Sequence, residues 1–160
     1  MGASQLVASP LASLARYEDI WPMSDPLNFT PQFEIGIAEI DAQHKELFAL
    51  LATLEENVGR RYTFKAARDA LNQLTSYATI HFAIEESLMR IHGYPDLQAH
   101  IAEHERFRQQ LTEFQRHILD ADIVAKLHEF IDAWLVRHID ISDRKYVPHL
   151  LTSKIDPTAK

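Results

Sequence analysis

The 160-residue sequence contains no cysteine and no long apolar run. Without cysteine, the chain cannot form disulfides, thiolate nucleophiles or zinc and iron–sulfur sites with sulfur ligands. No apolar stretch approaches the ~20 residues that cross a bilayer, so we expect no membrane partner. Positive charge is also scarce, and the formal net charge of −7 argues against binding to nucleic acid or an anionic membrane surface.

The composition is otherwise that of a globular protein. Hydrophobic residues make up 46% and charged residues 24% of the chain, and 160 residues are enough for one domain with a core. The N-terminus lacks the basic region and apolar stretch of a secretory signal, so we expect a cytoplasmic location. Nine histidines are the unusual feature, and their positions guide the functional interpretation.

Apolar side chains recur at helical spacing in four segments. The predicted segments run from a capping Asp41 to Gly59, from about Thr63 to residues 93–95, from residues 95–96 to the break at 119–122, and from Val124 to the polar patch at 142–145 and Pro148. Long helices with short connections predict an all-α protein, an up-down-up-down four-helix bundle. We expect the bundle at residues 37–152, a loop-rich N-terminal arm packed on it at residues 1–36, and a frayed C-terminal tail at residues 153–160.

The predicted inward faces of these helices carry histidine and one glutamate. The residues are His44, His81, Glu85, His100, His104 and His138. The pairs 81/85 and 100/104 are four residues apart, which places each pair on one side of a helix. A single inward histidine is usually a hydrogen-bonded core residue. Five of them with a carboxylate in one core need a common partner, because an unpaired buried charge costs several kcal/mol. Metal coordination is the interpretation that we favour.

The donor set indicates which metal the site would hold. Nitrogen and oxygen donors without sulfur suit iron, manganese or zinc. Six donors are too many for one tetrahedral zinc ion and favour two ions in the core of a bundle. The Glu-x-x-His pairs of ferritin-like di-iron proteins do not occur anywhere in the sequence, so that class is disfavoured.

Several motifs together resemble those of bacterial hemerythrins. The matching stretches are residues 36–37, IDAQHKELF at 40–48, HFAIEESLM at 81–89, residues 93–95 with His100 and His104, and residues 134–139 with Asp143. The resemblance covers about residues 29–150. It implies a four-helix bundle with a non-haem di-iron centre, oxo- or hydroxo-bridged, that binds dioxygen reversibly.

The resemblance also implies roles for individual residues. His100, His104 and His138 would hold one iron, and His44 and His81 would hold the other. Glu85 and Asp143 would bridge the two ions. Asp143 follows His138 by five residues, roughly 140° around an ideal helix, so the helix must distort or end there. Asp140 is the alternative, and its spacing points it elsewhere.

An oxygen site needs apolar surroundings that exclude water. We expect some of the neighbouring large side chains to line it, and replacing Leu47 or Phe48 by alanine to accelerate autoxidation. The candidates are Phe48, Phe82, Ile101, Phe107 and Trp134. We predict that the remaining histidines lie at the surface or support the site, and that three glutamates near the ligands face solvent. These residues are His92, His117, His128 and His149, and Glu46, Glu86 and Glu103.

The favoured function is reversible dioxygen binding for storage, delivery or sensing, by a protein that is not an enzyme and has no separate catalytic residues. One alternative is an oxygen or redox sensor that acts on an unknown protein partner, through the N-terminal arm. Another is a di-iron oxidase, a peroxidase or a nitric-oxide-handling enzyme that uses the same ligands. The sequence does not predict the oligomeric state.

Overall fold

The computed structural model describes residues 28–60, 64–119 and 123–153. Within these ranges the chain is helical and has no strand. The elements are a 3-10 turn (Pro31–Phe33), α1 (Ala38–Arg60), α2 (Phe64–Ile91), α3 (Leu97–Arg116), α4 (Ile123–Arg137), a π-helical turn (His138–Asp143) and α5 (Arg144–Thr152). The prediction of an all-α four-helix bundle is confirmed, with α1 to α4 as its four long helices. No helix of the described residues has the length and apolar character that crossing a membrane requires.

The bundle core is built from the predicted inward stripes of all four helices. These side chains alternate along each helix with exposed polar ones, and burying them supplies the main driving force for helix packing. Buried members include Ile40, Leu51, Leu71, Leu74, Leu111, Leu127 and Ile131. Most of the predicted arm, residues 1–27, and the predicted tail after residue 153 lie outside the described residues, as do the predicted start at Thr63 and residues 120–122.

Asp41 was predicted to cap the first helix, and this prediction is wrong. The helix begins at Ala38, and the Asp41 carboxylate instead accepts hydrogen bonds from the backbone N–H groups of Ile35 (2.7 Å) and Gly36 (3.1 Å). Gly36 has a φ of +91°, a conformation that favours glycine. Asp41 therefore fixes the bend by which the chain enters the bundle, and Phe33 packs on Phe48 behind it at 4.8 Å between ring centroids.

The end of α2 follows the prediction. Gly93 has a φ of +66°, and the N–H of Tyr94 donates to the carbonyl of Met89 at 2.8 Å. This arrangement is the usual way in which a glycine in the left-handed region ends a helix and satisfies its last carbonyl groups. The turn brings α3 back along α2, which places the histidines of α3 opposite His81 and Glu85 of α2.

The predicted end of the fourth helix at residues 142–145 is also wrong. The chain passes through the π-helical turn, continues as α5 and includes Pro148 within that helix. Proline removes one helical hydrogen bond, but Tyr146, Val147 and Leu150 are buried, and this packing keeps the segment helical. The turn changes which side chains face inward: Ile141, which helical spacing from His138 predicts on the inward face, is 49% exposed, while Asp143 is fully buried.

We predict that Asp41→Ala destabilises the fold by about 2–3 kcal/mol, because it leaves two backbone N–H groups without their charged acceptor. Urea unfolding followed by circular dichroism measures the change in the free energy of unfolding. Glu39→Ala is the control, since Glu39 is an exposed acidic residue in the same first turn and its loss should cost less than about 1 kcal/mol. Equal effects of the two substitutions would contradict this role for Asp41.

Candidate metal centre

All seven residues predicted to hold metal meet at one place in the bundle. They are His44, His81, Glu85, His100, His104, His138 and Asp143, and none is more than 4% exposed. One comes from α1, two from α2, two from α3 and two from the π-helical turn. The helices α1, α2 and α3 each contribute at least one of these residues, and α4 leads directly into the turn that contributes the last two. The centre therefore connects all four long helices.

The donor atoms form two overlapping sets. Glu85, His100, His104 and His138 make up one set, and His44, His81 and Glu85 make up the other. Within each set, one donor atom from every residue lies within 4.8 Å of the others. Glu85 belongs to both sets, so its carboxylate lies between two positions where a cation would find nitrogen and oxygen donors.

Asp143 also faces both sets. One carboxylate oxygen is 3.4 Å from Nε2 of His44, and the other is 3.1 Å from Nε2 of His138. The π-helical turn explains how an aspartate five residues after His138 points to the same side. In this turn, hydrogen bonds join residues five apart, as when the N–H of Arg144 donates to the carbonyl of Ile139. The expected distortion at Asp143 is therefore present.

Two carboxylates outside the centre orient the histidine rings. Nδ1 of His104 donates to Glu86 at 2.9 Å, and Nδ1 of His138 donates to Glu103 at 3.2 Å. A carboxylate can only accept, so these contacts place a hydrogen on Nδ1 and turn Nε2 towards the centre. The hydrogen bond from His138 lowers the pKa of Glu103 to about 2, against the opposing effect of partial burial.

The third oriented ring is that of His81. Its Nδ1 lies 2.8 Å from the side-chain oxygen of Gln43, which leaves Nε2 free to face Glu85. A glutamine provides the same orientation as a carboxylate without adding negative charge. The main-chain carbonyl of Gln43 also accepts a hydrogen bond from the Tyr77 hydroxyl, which fixes the backbone at this point.

The chemistry of the inner atoms fits a cation. Nε2 of His104 and Nε2 of His138 are 3.1 Å apart, a separation that requires a proton or a cation between them. Several buried inner atoms have no hydrogen-bond partner among the described residues, and each such atom costs about 1–3 kcal/mol. They are both ring nitrogens of His44, Oε2 of Glu85, Nε2 of His100 and both carboxylate oxygens of Asp143. Coordination would satisfy the inward-facing atoms together.

Electrostatics support the same conclusion for the metal-free protein. Burial lowers the pKa of His138, but the carboxylates of Asp143 and Glu103 outweigh this effect and raise it to about 10. The pKa of Glu85 lies well below its usual range despite burial, because His81, His100 and His104 surround it. The centre therefore favours positive charge, which a proton supplies in the absence of metal and a cation supplies on binding.

The comparisons with known proteins identify the family. The hemerythrin HHE cation binding domain matches residues 35–150. The chain belongs to the hemerythrin family. A hemerythrin-like protein from Naegleria gruberi is 34% identical over 121 residues, covering 76% of this chain and 91% of that protein. Bacteriohemerythrin from Methylococcus capsulatus is 30% identical over 121 residues, covering 74% and 92%.

A solved structure agrees with these relatives. The crystal structure of a wild-type hemerythrin superimposes with a TM-score of 0.68 at 27% identity, covering 78% of this chain and 97% of that one. Membership of the hemerythrin family implies a non-haem iron site and an oxygen-binding role, and the buried cluster of histidine and glutamate fits such a site.

The hemerythrin fold also holds residues that the sequence interpretation missed. Glu86 and Glu103 were expected to face solvent, and this expectation is wrong because each reaches a histidine on a neighbouring element. The hydroxyl of the fully buried Tyr146 donates to Oε1 of Glu85 at 2.7 Å. Gln43, Glu86 and Glu103 are partly buried on the flanks of their helices, where the inward stripe gives no signal. Tyr146 lies in α5, beyond the predicted end of the fourth helix.

The four other histidines lie outside the two donor sets. His117 is exposed, and His92 and His149 are partly buried near the end of α5, where His149 donates to the carbonyl of His92 at 2.8 Å. His128 was expected at the surface or in support of the site, but it is buried, with Nδ1 3.1 Å from Asp132. Asp132 lies one turn further along α4, and neither residue belongs to the donor sets.

We predict that Gln43→Leu weakens iron binding about 10- to 100-fold, because the ring of His81 loses the acceptor that fixes its orientation. Competition with a ferrous chelator measures the affinity. The backbone contact with Tyr77 is retained, so the fold should remain intact. Gln73→Leu makes the same chemical change at an exposed position of α2 and should leave the affinity unchanged. A Gln43→Leu protein with unaltered affinity would show that this hydrogen bond does not support the site.

Proposed function

We propose that this hemerythrin binds dioxygen reversibly at two ferrous ions, for storage, delivery or sensing. His100, His104 and His138 would hold one ion, and His44 and His81 the other, with Glu85 and Asp143 shared. One observation carries the proposal: the two donor sets overlap. Glu85 belongs to both sets, and Asp143 faces a histidine of each. When bound, ferrous iron supplies the electrons for reversible binding of dioxygen.

The surrounding residues hold the donors in place for this task. Gln43, Glu86 and Glu103 fix three histidine rings with Nε2 turned inward. Tyr146 holds one oxygen of Glu85 and leaves the other among the histidines. Such outer contacts keep the ligands from rotating away and set their basicity.

A small apolar cavity adjoins the centre and supports its use for a small gas molecule. Its volume is about 10 Å³, close to the smallest that holds one water-sized molecule. It is lined by Leu47, Leu74, Ala78, His81, Phe82, Phe107, Ile131, Trp134, Leu135 and His138. Three of the five predicted side chains contribute to this lining, whereas Phe48 and Ile101 do not. Apolar walls keep water away from the reactive site.

The cavity is too small for an organic substrate, which favours the binding of a small gas molecule over the turnover of such a substrate. Among its lining residues, the titratable groups are His81 and His138, both of which belong to the donor sets. A di-iron oxidase, peroxidase or nitric-oxide-handling enzyme remains the alternative, because the ligand set alone does not determine the reaction.

Oxygen cycling tests the proposal. The protein is loaded anaerobically with ferrous iron, its iron content is measured, and the visible spectrum is followed as oxygen is admitted and removed. We expect two irons per chain and an absorption band that appears with oxygen and disappears under vacuum over repeated cycles. Oxidation in one direction, or steady consumption of peroxide or nitric oxide with a reductant, would contradict the proposal and favour the enzyme.

We predict that Leu47→Ala accelerates autoxidation several-fold, because it widens the apolar cavity and admits water. The rate at which the oxygenated band decays in air measures this. Phe48→Leu is the control: Phe48 packs on Phe29 and Phe33 and does not line the cavity. Both substitutions remove buried volume and destabilise the core, so the rates are compared well below both melting temperatures. Equal acceleration in the two variants would exclude a specific role for the cavity.

A further inference from the structure

A second, larger depression lies on the outside of the bundle next to the centre. It is a groove of about 440 Å³ between α3 on one side and α4 with the π-helical turn on the other. This volume falls within the usual range for small-molecule sites, about 300–1,000 Å³. Glu103, Trp134 and His138 all contribute to its lining. Since His138 belongs to a donor set and is contacted by both Glu103 and Trp134, the groove adjoins the metal centre.

The groove is lined by three cations. Arg106, Arg137 and Lys145 are exposed and make no ion pair with any residue that the structure describes. In a chain of net charge −7, these three cations form a local positive site. Glu103 is the one carboxylate among the lining residues, and it accepts hydrogen bonds from His138 and from Ser142 at 2.6 Å, so the three cations outnumber the negative charge in the groove. The groove therefore favours an anion.

Aromatic rings supply the apolar part of the groove. Trp134 and Phe130 line it and are partly buried. Trp134 stacks on His138, with ring centroids 4.1 Å apart and planes 18° apart. A planar ligand beside Trp134 would therefore be separated from a proposed iron ligand by one indole ring. Cations combined with exposed aromatic edges suit a phosphate joined to a flat ring, since arginine and lysine bind phosphate and aromatic side chains contact ring faces.

We propose that this groove is the docking site of a phosphate-bearing planar electron donor of the flavin mononucleotide class. The phosphate would contact Arg106, Arg137 and Lys145, and the ring would lie against Trp134. The inference rests on the proposed function, because a protein that binds oxygen with ferrous iron needs re-reduction whenever it autoxidises. Trp134 and His138 would lie between the ring and the centre. Reduced flavin would supply two electrons, one for each ferric ion, and would become oxidised flavin with release of two protons to solvent.

Equilibrium dialysis of the iron-loaded ferric protein against oxidised flavin mononucleotide tests the docking without any redox reaction. We expect saturable binding that weakens about tenfold or more in the Arg106→Gln/Lys145→Gln double variant, since each substitution removes one charged contact with the phosphate. Riboflavin, which lacks the phosphate, should bind the unaltered protein as weakly as flavin mononucleotide binds the double variant. Arg116→Gln is the control, because Arg116 pairs with Glu113 and does not line the groove. Equal binding of riboflavin, or unchanged binding by the double variant, would overturn the proposal.

Anaerobic reduction tests the electron transfer. The loss of ferric absorbance after addition of photoreduced flavin mononucleotide should saturate with flavin concentration. The double variant should raise the half-saturating concentration about tenfold with an unchanged limiting rate and iron content. A rate that rises linearly and equally in both proteins would show random collision and overturn the proposal. Dialysis does not depend on oxygen chemistry: if flavin binds at the groove but oxygenation is irreversible, the proposed function fails and the docking site stands.

Discussion

The structure depends on one constraint: five imidazole rings and two carboxylates share the buried centre of a small helical bundle. Polar groups of this kind are costly to bury unless each atom has a partner. Six described side-chain atoms on four of these residues have none, and two inward ring nitrogens lie 3.1 Å apart. Because one cation bound within each donor set would satisfy the inward atoms, the metal would stabilise the fold as well as provide its chemistry.

Much of the remaining structure positions these groups. The π-helical turn brings Asp143 to the same side as His138 and at the same time turns Ile141 outward. Gln43, Glu86, Glu103 and Tyr146 each hold one group of the centre from outside. Glu103 also lines the external groove, and Trp134 lines both the groove and the apolar cavity. Surface and centre are thus connected by very few side chains.

The sequence predicts the bundle and six residues of the centre well, because apolar and histidine spacing follows the helical period. His81 and Glu85, or His100 and His104, are recognisable without a structure for this reason. Asp143 is different, since its direction depends on a local change of helical period that spacing does not reveal, and only the family resemblance indicated it. The predictions for Glu86 and Glu103 were wrong because each accepts a hydrogen bond from a histidine on a neighbouring element. Helical spacing describes only one helix at a time and does not predict such contacts.

The central claim is that the two donor sets hold one iron ion each. Crystals of the iron-loaded protein, measured on both sides of the iron absorption edge, test it most directly through the anomalous difference map. The account predicts two peaks, one beside Nε2 of His44 and His81 and one beside Nε2 of His100, His104 and His138, with Glu85 and Asp143 contacting both. A single peak, or iron located away from these atoms, would contradict it.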